Sequence, residues 1–431
     1  MDGWNLVLFQ FAKNIFSLPR SITGNGVRQT LAKIKELIPE LKIYEIKTGK
    51  KIFDWEIPKE WNVNKAFIEC PDGKKICDFS KNNLHLLNYS SPIKGKFSLK
   101  ELEKHLYYLK EQPEAVPYVT SYYEDRWGFC LSYKERKNLK EGSYKVVIDS
   151  TKEEGSLTIG EIILKGKSKK EVFISTYTCH PSMGNNETSG ITIAVFLAKW
   201  IKESLLDRNY TYRIVFAPET IGALSYLDLN ANLEKLKRNV KFAFNITCVG
   251  DNNNFSYLPS RNGNLEIDKI SRHVLKHLKI DFKEYSFFKD RGSDECQYCS
   301  PGIDLPMVSL MRSKYGEYDE YHTSLDNLNF ISQKGLEGSL SLHKKCIEII
   351  EKNCFFMTEK IGEPFFSKYN LRSTLSATSK DMNQIKKYST IVNCADGETS
   401  LVDVADFLDI PVWDLFNEFD NLLEAKIIKQ L

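Results

Sequence analysis

Short apolar runs alternate with segments of helical periodicity through the middle of the chain. The strand-like runs, rich in β-branched and aromatic residues, are Tyr144–Asp149, Glu161–Leu164, Glu171–Thr178, Tyr212–Ala217, Phe242–Val249 and Pro306–Met311. The segments in which apolar residues recur at helical spacing are Gly190–Leu205, Gly222–Lys237, Leu265–Leu278 and Ser332–Ile350. This alternation is typical of a mainly parallel sheet covered by helices, in which ligands and chemistry gather at the carboxyl ends of the strands.

Residues 55–130 interrupt this alternation. They begin with a Pro- and Trp-rich stretch, continue through a Pro-Asp-Gly turn and a charged helix-like segment, and end in the aromatic cluster Tyr122–Phe129. We interpret them as an inserted β-rich subdomain, and we expect its aromatic residues to pack in its core or interface rather than to form a substrate wall. The flanking residues 1–54 and 131–360 then make up one α/β domain.

Residues 361–431 change character again. The Ser-, Thr- and Lys-rich stretch Ser373–Lys380 is expected to separate them from the α/β domain. Helical patterns at Ser400–Asp409 and Trp413–Lys426, followed by the strand-like Ile427–Leu431, predict a winged helix-turn-helix domain. A DNA-reading helix needs cations, but the second helix carries mostly acids: Asp414, Glu418, Asp420 and Glu424. We therefore expect this domain to bind a protein partner or a second copy of the chain, and we disfavour nucleic acid and a role in transcription.

The composition is that of an ordinary globular protein. The chain has 431 residues, of which 42% are hydrophobic and 27% charged, and this excludes a disordered or low-complexity protein. Sixty Lys and Arg against 57 Asp and Glu leave a net charge of +3, so neither nucleic acid nor an anionic membrane is an expected main partner. No apolar stretch is long enough to span a bilayer, and Met1–Arg20 lacks the pattern of a signal peptide, so we expect a cytoplasmic protein. The cysteines, including the close pair Cys296 and Cys299, are then expected to be thiols.

Three candidate ligands follow three of the predicted strands. His180 stands at the end of Glu171–Thr178, Glu219 follows the next strand along the chain, and His322 comes after the last one. Imidazole nitrogens and carboxylates are the usual ligands of zinc, and a free carboxylate beside a metal-bound water is a ready general base. These side chains can therefore converge on one metal ion and a water.

Other motifs are weak or missing. His273 and His277 have the spacing of a helical metal pair, but the residues between them lack the acid of the metalloprotease motif, and we discount the pair. The sequence contains no phosphate-binding G-x-x-x-x-G-K-[ST] loop, no dinucleotide-binding G-x-G-x-x-G after a strand and no G-x-S-x-G elbow. Nucleotide binding and serine hydrolase chemistry therefore have no support.

Four motifs, in this order, resemble those of the zinc exopeptidases of the leucyl aminopeptidase and glutaminyl cyclase clan. They are His180 with Asn186-Glu187-Thr188-Ser189-Gly190, then Pro218-Glu219-Thr220-Ile221-Gly222, then Ser293-Asp294, then His322-Thr323 with Asp326. The insert and the tail resemble a bacterial aminopeptidase-like branch of this clan. The resemblance implies a three-layer α/β/α domain with a metal centre.

By this resemblance His180 and His322 match the histidine ligands, and Glu219 matches the general base. Three anionic ligands of the clan are replaced by neutral residues, namely Asn186 at the bridging position, Thr220 and Thr247. Neutral oxygens offset the repulsion between two neighbouring cations poorly. We therefore expect one zinc ion, held by His180 and His322 with Asn186 in the bridging position and with help from Glu219 or a nearby Asp. The alternative is that no ion binds and the enzyme is inactivated.

Further polar residues near these motifs have candidate roles. The acids that could support or replace the missing ligands are Glu187, Asp251, Asp294 and Glu295. Asp326 either supports His322 or caps a helix. Arg20 lies in a polar loop that either holds a substrate carboxylate or caps the next helix.

The sequence thus predicts a metal-assisted hydrolase that cleaves an amide near the amino end of a peptide or of a small acylated amine. Glu219 would take the proton of the attacking water and pass it to the leaving amine. The alternative is a catalytically degenerate protein that kept the exopeptidase fold for ligand binding or assembly. The expected partners are the substrate and a protein partner or second copy at the winged-helix domain, with no membrane.

Overall fold

The structure is a computed structural model that describes residues 5–371 and 379–431. Most of the predicted separator Ser373–Lys380 lies outside these residues. Internal contacts divide the chain into two units. The first takes the chain as far as Gly263 together with Phe282–Ser341, and the second consists of Asn264–Asp281 and Leu342–Leu431.

An 8-stranded sheet forms the centre of the first unit. From edge to edge its strands are Lys42–Lys47, Ser156–Leu164, Thr211–Ala217, Glu171–Tyr177, Val240–Asn245, Met307–Met311, Phe255–Leu258 and Phe282–Glu284. The middle strands, from Thr211–Ala217 to Met307–Met311, are parallel to one another. Every residue of Glu171–Tyr177 is buried, as expected of a strand covered on both faces.

Helices cover this sheet and complete the predicted three-layer α/β/α architecture. They are Asn5–Phe16, Asn25–Leu37, Gly190–Ser204, Ile221–Asp228, Asn232–Asn239, Phe287–Asp290, Glu295–Tyr298 and Gln333–Lys352. The single helix predicted over Gly222–Lys237 is two helices. Asn230 and Ala231 between them have positive φ angles of 53° and 56°, a left-handed backbone that interrupts a right-handed helix.

A 4-stranded antiparallel sheet forms the core of the inserted region. Its strands, in order, are Lys75–Ile76, Glu60–Glu69, Ser143–Glu153 and Ile93–Ser98. The apolar pattern of Tyr144–Asp149 predicts a strand of the central sheet, and this prediction is wrong. The run lies in Ser143–Glu153, which pairs with the strands on either side of it in the small sheet. The remaining short elements of this region are Lys51–Ile52 paired with Trp55–Glu56, Leu106–Tyr107 paired with Phe129–Cys130, and the helices Leu99–Leu102 and Tyr133–Lys137.

The second unit contains the winged helix-turn-helix domain. Its helices are Glu266–His277, Ser379–Asn393, Leu401–Leu408 and Phe416–Glu424, and its antiparallel sheet has the order Asp396–Ser400, Phe355–Thr358, Ile428–Gln430. Among the described residues, no helix combines the length and hydrophobicity needed to cross a lipid bilayer.

The second unit includes the helix Glu266–His277. The sequence analysis places this helix in the α/β domain, for which it predicts an end at residue 360. His273 of that helix is hydrogen-bonded within this unit through both ring nitrogens. Its Nδ1–H donates to Asp406 Oδ1 at 2.7 Å, and its Nε2 accepts the backbone N–H of Val412 at 2.9 Å. These two bonds tie Glu266–His277 to the winged-helix residues.

Candidate active site and metal centre

The first unit brings His180, Glu219 and His322 together at the carboxyl edge of the central sheet. The ring centroids of His180 and His322 are 5.2 Å apart, with an angle of 36° between the ring planes. His180 Nε2 lies 3.8 Å from Glu219 Oε2. His180 and Glu219 are therefore close enough to share an ion, and the ring of His322 lies beside them in the lining of the same cavity.

A cavity of about 280 Å³ opens above these three side chains. Its aromatic wall is formed by Trp55, Tyr118, Tyr122 and Tyr123, all from the inserted region. The expectation that the aromatic residues of the insert pack in its core or interface rather than form a substrate wall therefore needs correction at these positions. Nothing in the strand or helix periodicity distinguished them from core residues.

Tyr118 is the residue of this aromatic wall whose ring lies next to both imidazoles. Its ring centroid lies 5.3 Å from that of His180 and 5.3 Å from that of His322. Its hydroxyl is 3.0 Å from the hydroxyl of Tyr122, and its backbone N–H donates to the backbone oxygen of His322 at 2.8 Å. The sequence analysis missed this residue, because contact between the insert and the His322 loop is a tertiary feature.

Both imidazoles are in environments that keep them neutral. Burial, together with the neighbouring His322 and Arg20, holds the pKa of His180 well below its usual range. Burial lowers the pKa of His322 to about 4. His322 Nε2 is buried, and no hydrogen-bond partner for it exists in the described part of the chain. A neutral, unpartnered imidazole nitrogen facing a second imidazole and a carboxylate fits one divalent ion.

The carboxyl groups beside the cavity are held at high pKa. Burial, and then the charge of Asp294, raises the pKa of Glu219. Burial, with the charge of Glu295, raises the pKa of Asp294 to about 7. Asp294 Oδ1 accepts the backbone N–H of Thr220 at 2.8 Å, so this acid supports the loop next to Glu219.

The neutral residues at positions 186 and 247 share a hydrogen-bond partner that the sequence analysis did not identify. The hydroxyl of Tyr177 donates to Asn186 Oδ1 and lies 2.7 Å from Thr247 Oγ1. Asn186 is only 1% exposed and Thr247 is fully buried. Tyr177 ends a fully buried strand, where an aromatic residue looks like any other core residue in the sequence.

The other predicted acids support loops and do not line the cavity. Asp326 accepts the backbone N–H groups of Asn185 and Asn186, at 2.6 and 3.0 Å. It therefore fixes the loop that carries Asn186 by accepting N–H groups from the first turn of the helical segment Gly184–Ser189. Asp251 accepts from the side chain of Asn185 at 3.0 Å, and Glu187 Oε1 accepts from Thr176 Oγ1 at 2.6 Å.

Arg20 also lies beneath the site rather than in it. The residue is only 1% exposed and does not line the cavity. Its Nε–H donates to the backbone oxygen of His180 at 2.9 Å, its Nη2 to Thr188 Oγ1 at 3.0 Å, and its Nη1 to the backbone oxygen of Ile15. With its guanidinium engaged in this way, Arg20 positions the His180 loop and is not available to a substrate carboxylate.

Several loops of the site have a strained backbone. Four non-glycine residues near the carboxyl edge have positive φ: Ser182 (45°), Thr220 (61°), Cys248 (52°) and His322 (55°). Thr220 is the most unusual, because a β-branched side chain is disfavoured there. Such strain costs of order 1–3 kcal/mol per residue and is typical of functional sites. The helix that follows the His180 loop starts at Gly190, where a Cβ would lie 1.7 Å from Glu187 Oε1.

Two groups of side chains in the described chain have the spacing of metal ligands. One is Cys179, His180 and Glu219, and the other is His273, His277 and Asp406. Cys179 adds its Sγ to the first group, 3.3 Å from His180 Nδ1. In the second group both ring nitrogens of His273 already have hydrogen-bond partners, Asp406 at Nδ1 and the backbone N–H of Val412 at Nε2. A metal ion bound at Nδ1 would move the ring proton to Nε2, and Nε2 could then no longer accept the hydrogen bond from Val412. Only the first group fits a metal ion.

Comparisons with known families place both parts of the chain. Residues 9–353 match a family described as a domain of unknown function (DUF4910), and residues 354–430 match a winged helix-turn-helix family. A protein of Clostridium acetobutylicum, named as a polysaccharide biosynthesis protein with an aminopeptidase-like domain, is 41% identical over 399 residues. That match covers 92% of this chain and 90% of the relative.

Solved structures agree with the fold. The crystal structure of a protein named as a peptidase, from Clostridium acetobutylicum, has a TM-score of 0.91 at 39% identity and covers 99% of this chain and 97% of its own. A zinc aminopeptidase from Bacillus subtilis has a TM-score of 0.56 at 13% identity, covering 80% and 94%. A peptidase M28 precursor from Shewanella amazonensis has a TM-score of 0.53 at 12% identity, covering 80% and 96%. The last two share the fold alone. With its aminopeptidase-like sheet domain and its winged-helix tail, the chain belongs to the DUF4910 family.

Proposed function

We propose that this protein is a metal-dependent hydrolase that cleaves an amide bond near the amino end of its substrate. The observation that carries the proposal is the convergence of His180, Glu219 and His322 beneath the cavity, with His180 Nε2 3.8 Å from Glu219 Oε2. The two neutral imidazoles are nitrogen donors suited to zinc, and Glu219 stands beside them as a carboxylate free to act as a base.

The three side chains have two separate roles, metal binding and proton transfer. His180 and His322 hold the ion, which when bound supplies Lewis-acid polarisation and lowers the pKa of water. Glu219 takes the proton from the attacking water and delivers it to the departing nitrogen. Burial, and then the charge of Asp294, raises its pKa, and a carboxyl group with a raised pKa binds a proton more readily than an ordinary one and can still pass it on.

The cavity wall orients the substrate and excludes water. Tyr118 is placed next to both imidazoles, and its hydroxyl can donate to the carbonyl oxygen while Tyr122 donates to it. Trp55 and Tyr123 supply apolar faces further out. The substrate is accordingly a peptide or a small acylated amine, and the name of the Clostridium relative adds N-acylated amino sugars to the compounds to be screened.

A second candidate is a catalytically degenerate protein that kept this fold to bind a ligand or to assemble. The observation that favours it is the neutral character of Asn186, Thr220 and Thr247, which leaves Glu219 as the one carboxylate that lines the cavity among the residues the structure describes. The two candidates differ in whether the protein takes up a metal ion.

Zinc analysis of the purified chain, combined with a substrate screen, tests the proposal. Protein purified without chelators is assayed for amine release from aminoacyl anilides, acylated peptides and N-acetylated amino sugars. Glu219→Gln should lower turnover by about 10²- to 10⁴-fold, the usual worth of a general base, while zinc stays bound. Glu124→Gln, in an exposed loop of the insert, is the matched control. A zinc content near zero even after zinc addition, or unchanged turnover in Glu219→Gln, would contradict the catalytic proposal and favour the degenerate one.

The winged-helix domain is proposed to dock a protein partner or a second copy of the chain. Its second helix, Phe416–Glu424, contains Glu418, Asp420 and Glu424 and no Lys or Arg, so it offers a DNA backbone no counter-charge. A gel shift with genomic fragments should therefore show no salt-resistant complex, whereas the oligomeric state of the full chain in solution reports self-docking.

A further inference from the structure

We propose that Tyr177 occupies the place of a second metal ion, so that the site accepts one ion at most. The proposal rests on the proposed function for the identity of the remaining ion site at His180 and His322. It concerns a different part of the same edge of the sheet, around positions 186 and 247.

The geometry of the Tyr177 hydroxyl carries the inference. Its oxygen lies at hydrogen-bonding distance from both Asn186 Oδ1 and Thr247 Oγ1. A cation shared by the side chains at 186 and 247 would have to lie at this same point, between their oxygens. The ring of Tyr177 is 5.0 Å from the ring of His180, so the hydroxyl group fills space immediately beside the proposed ion site. Tyr177 is only 1% exposed, and it cannot swing out into solvent without opening the end of its strand.

Chemistry assigns one proton of this network. A carboxamide oxygen can only accept, so Tyr177 must donate to Asn186 Oδ1. Thr247 Oγ1, 2.7 Å from the Tyr177 oxygen, can donate to that oxygen or to Cys248 Sγ at 3.5 Å, and the buried carboxyl group of Glu187 is a further neighbour of both hydroxyls. Asn186 Oδ1 therefore has its hydrogen-bond donor without a cation.

Charge explains why a phenol hydroxyl is the fitting occupant. A second divalent ion beside the first needs negative ligands to offset the repulsion between the two. Positions 186 and 247 supply an amide and a hydroxyl, which carry no charge. A neutral hydroxyl can hydrogen-bond to both oxygens and adds no charge to a buried site. Asn186, Thr247 and the Tyr177 hydroxyl therefore together take the place of a cation and its charged ligands.

The experiment counts zinc ions per chain by native mass spectrometry, on the full-length protein with excess zinc. All proteins carry His277→Ala, so that no ion at the other histidine pair is counted. The wild-type site should hold no more than one ion. The triple variant Tyr177→Phe, Asn186→Asp, Thr247→Asp should gain one ion over it. The double variant Asn186→Asp, Thr247→Asp retains Tyr177 and is the matched control, and its additional ion should bind at least about tenfold more weakly than that of the triple variant.

The outcomes separate this inference from the proposed function. Two ions on the wild-type site overturn the inference, and that measurement needs no folded variant. A triple variant that gains no ion, or that binds it no better than the double variant, also overturns it. No ion on the wild-type site together with one on the triple variant supports the inference and defeats the metal proposed for catalysis.

Discussion

The Nε–H of Arg20 donates a hydrogen bond to the backbone oxygen of His180 at 2.9 Å, although 160 positions separate the two residues in the chain. The loop before the second helix is thereby fixed to the loop that carries a proposed metal ligand. Burial lowers the pKa of Arg20 to about 10, and the buried carboxylate of Glu187 opposes that shift. Arg20 therefore acts as a buried cation that positions His180 from below.

Arg20→Met should lower both stability and zinc affinity. The substitution removes three donated hydrogen bonds, and bonds to a charged group are worth about 1.5–3 kcal/mol each, so we expect a loss of several kcal/mol. Zinc affinity should fall by about 10- to 100-fold, as when a group that supports a ligand is removed. Urea denaturation and zinc titration measure the two effects. Arg238→Met, on an exposed helix, is the control, and an Arg20→Met protein that is folded and binds zinc normally would contradict the positioning role.

Asp326→Ala should destabilise the protein more than Asp326→Asn. The alanine leaves two buried backbone N–H groups, of Asn185 and Asn186, without an acceptor, and this costs about 2–4 kcal/mol. The asparagine keeps one acceptor oxygen and should cost about half as much. Tyr318→Phe removes only the 3.0 Å bond from Tyr318 to Asp326 and should cost about 1 kcal/mol. Free energies of unfolding in urea give the order, and an alanine variant no less stable than Tyr318→Phe would refute it.

Thr220→Gly should stabilise the protein. Thr220 has φ 61° and ψ −78°, where a β-branched residue is strained and glycine is not. Relief of that strain, less the entropy that glycine loses on folding, should leave a gain of about 1 kcal/mol. Thr220→Ala keeps the Cβ and the strain and is the matched control. Thermal unfolding compares the two, and equal midpoints would show that the backbone at position 220 is not strained.

The ion pair between Glu60 and Arg28 should make stability depend on acidity. Glu60 Oε1 and Oε2 each accept from the Arg28 guanidinium at 2.7 Å. This bond, ahead of the backbone N–H of Ser156, lowers the pKa of Glu60 to about 2 from 4.5. Because the folded pKa is depressed, the stabilisation is complete above pH 4.5 and is lost as the pH falls from 4.5 towards 2.

Unfolding free energies of the wild-type protein and Glu60→Gln across this range test the expectation. Their difference should be constant above pH 4.5 and shrink as the pH approaches 2. The same comparison in an Arg28→Met background should lose most of this pH dependence, since the first cause of the shift is gone. A difference that stays level down to pH 2 would exclude the pair as its source.

The sequence was sufficient to locate the three side chains at the centre of the candidate site. His180 and Glu219 follow strands whose apolar runs are continuous, and parallel order then brings the ends of those strands to one edge. The fold class is confirmed by the structure and by the structural neighbours, whereas the roles of the three side chains stay predictions. These features depend on local pattern and on a topology with few alternatives.

Features that depend on pairing between distant segments could not be predicted. The apolar pattern of Tyr144–Asp149 predicts a strand but does not show which strands pair with it. In the structure it pairs with two strands of the small sheet. Tyr177 looks like a core residue in the sequence, because a tyrosine at the end of a buried strand is expected whether it only packs in the core or also donates a hydrogen bond to Asn186. The placement of Tyr118 depends on a bridge between Pro117 and Thr323, which no local pattern records.

That bridge ties one border of the insert to the stretch of chain around His322. The backbone N–H of Tyr118 donates to the carbonyl of His322, and the backbone N–H of Ser324 donates to the carbonyl of Val116. The proposed metal ligands thus lie at the edge of the central sheet, while the insert supplies the aromatic wall above them. If the proposed function holds, substitutions in that wall should change which molecules are accepted and leave the proposed proton transfer at Glu219 in place.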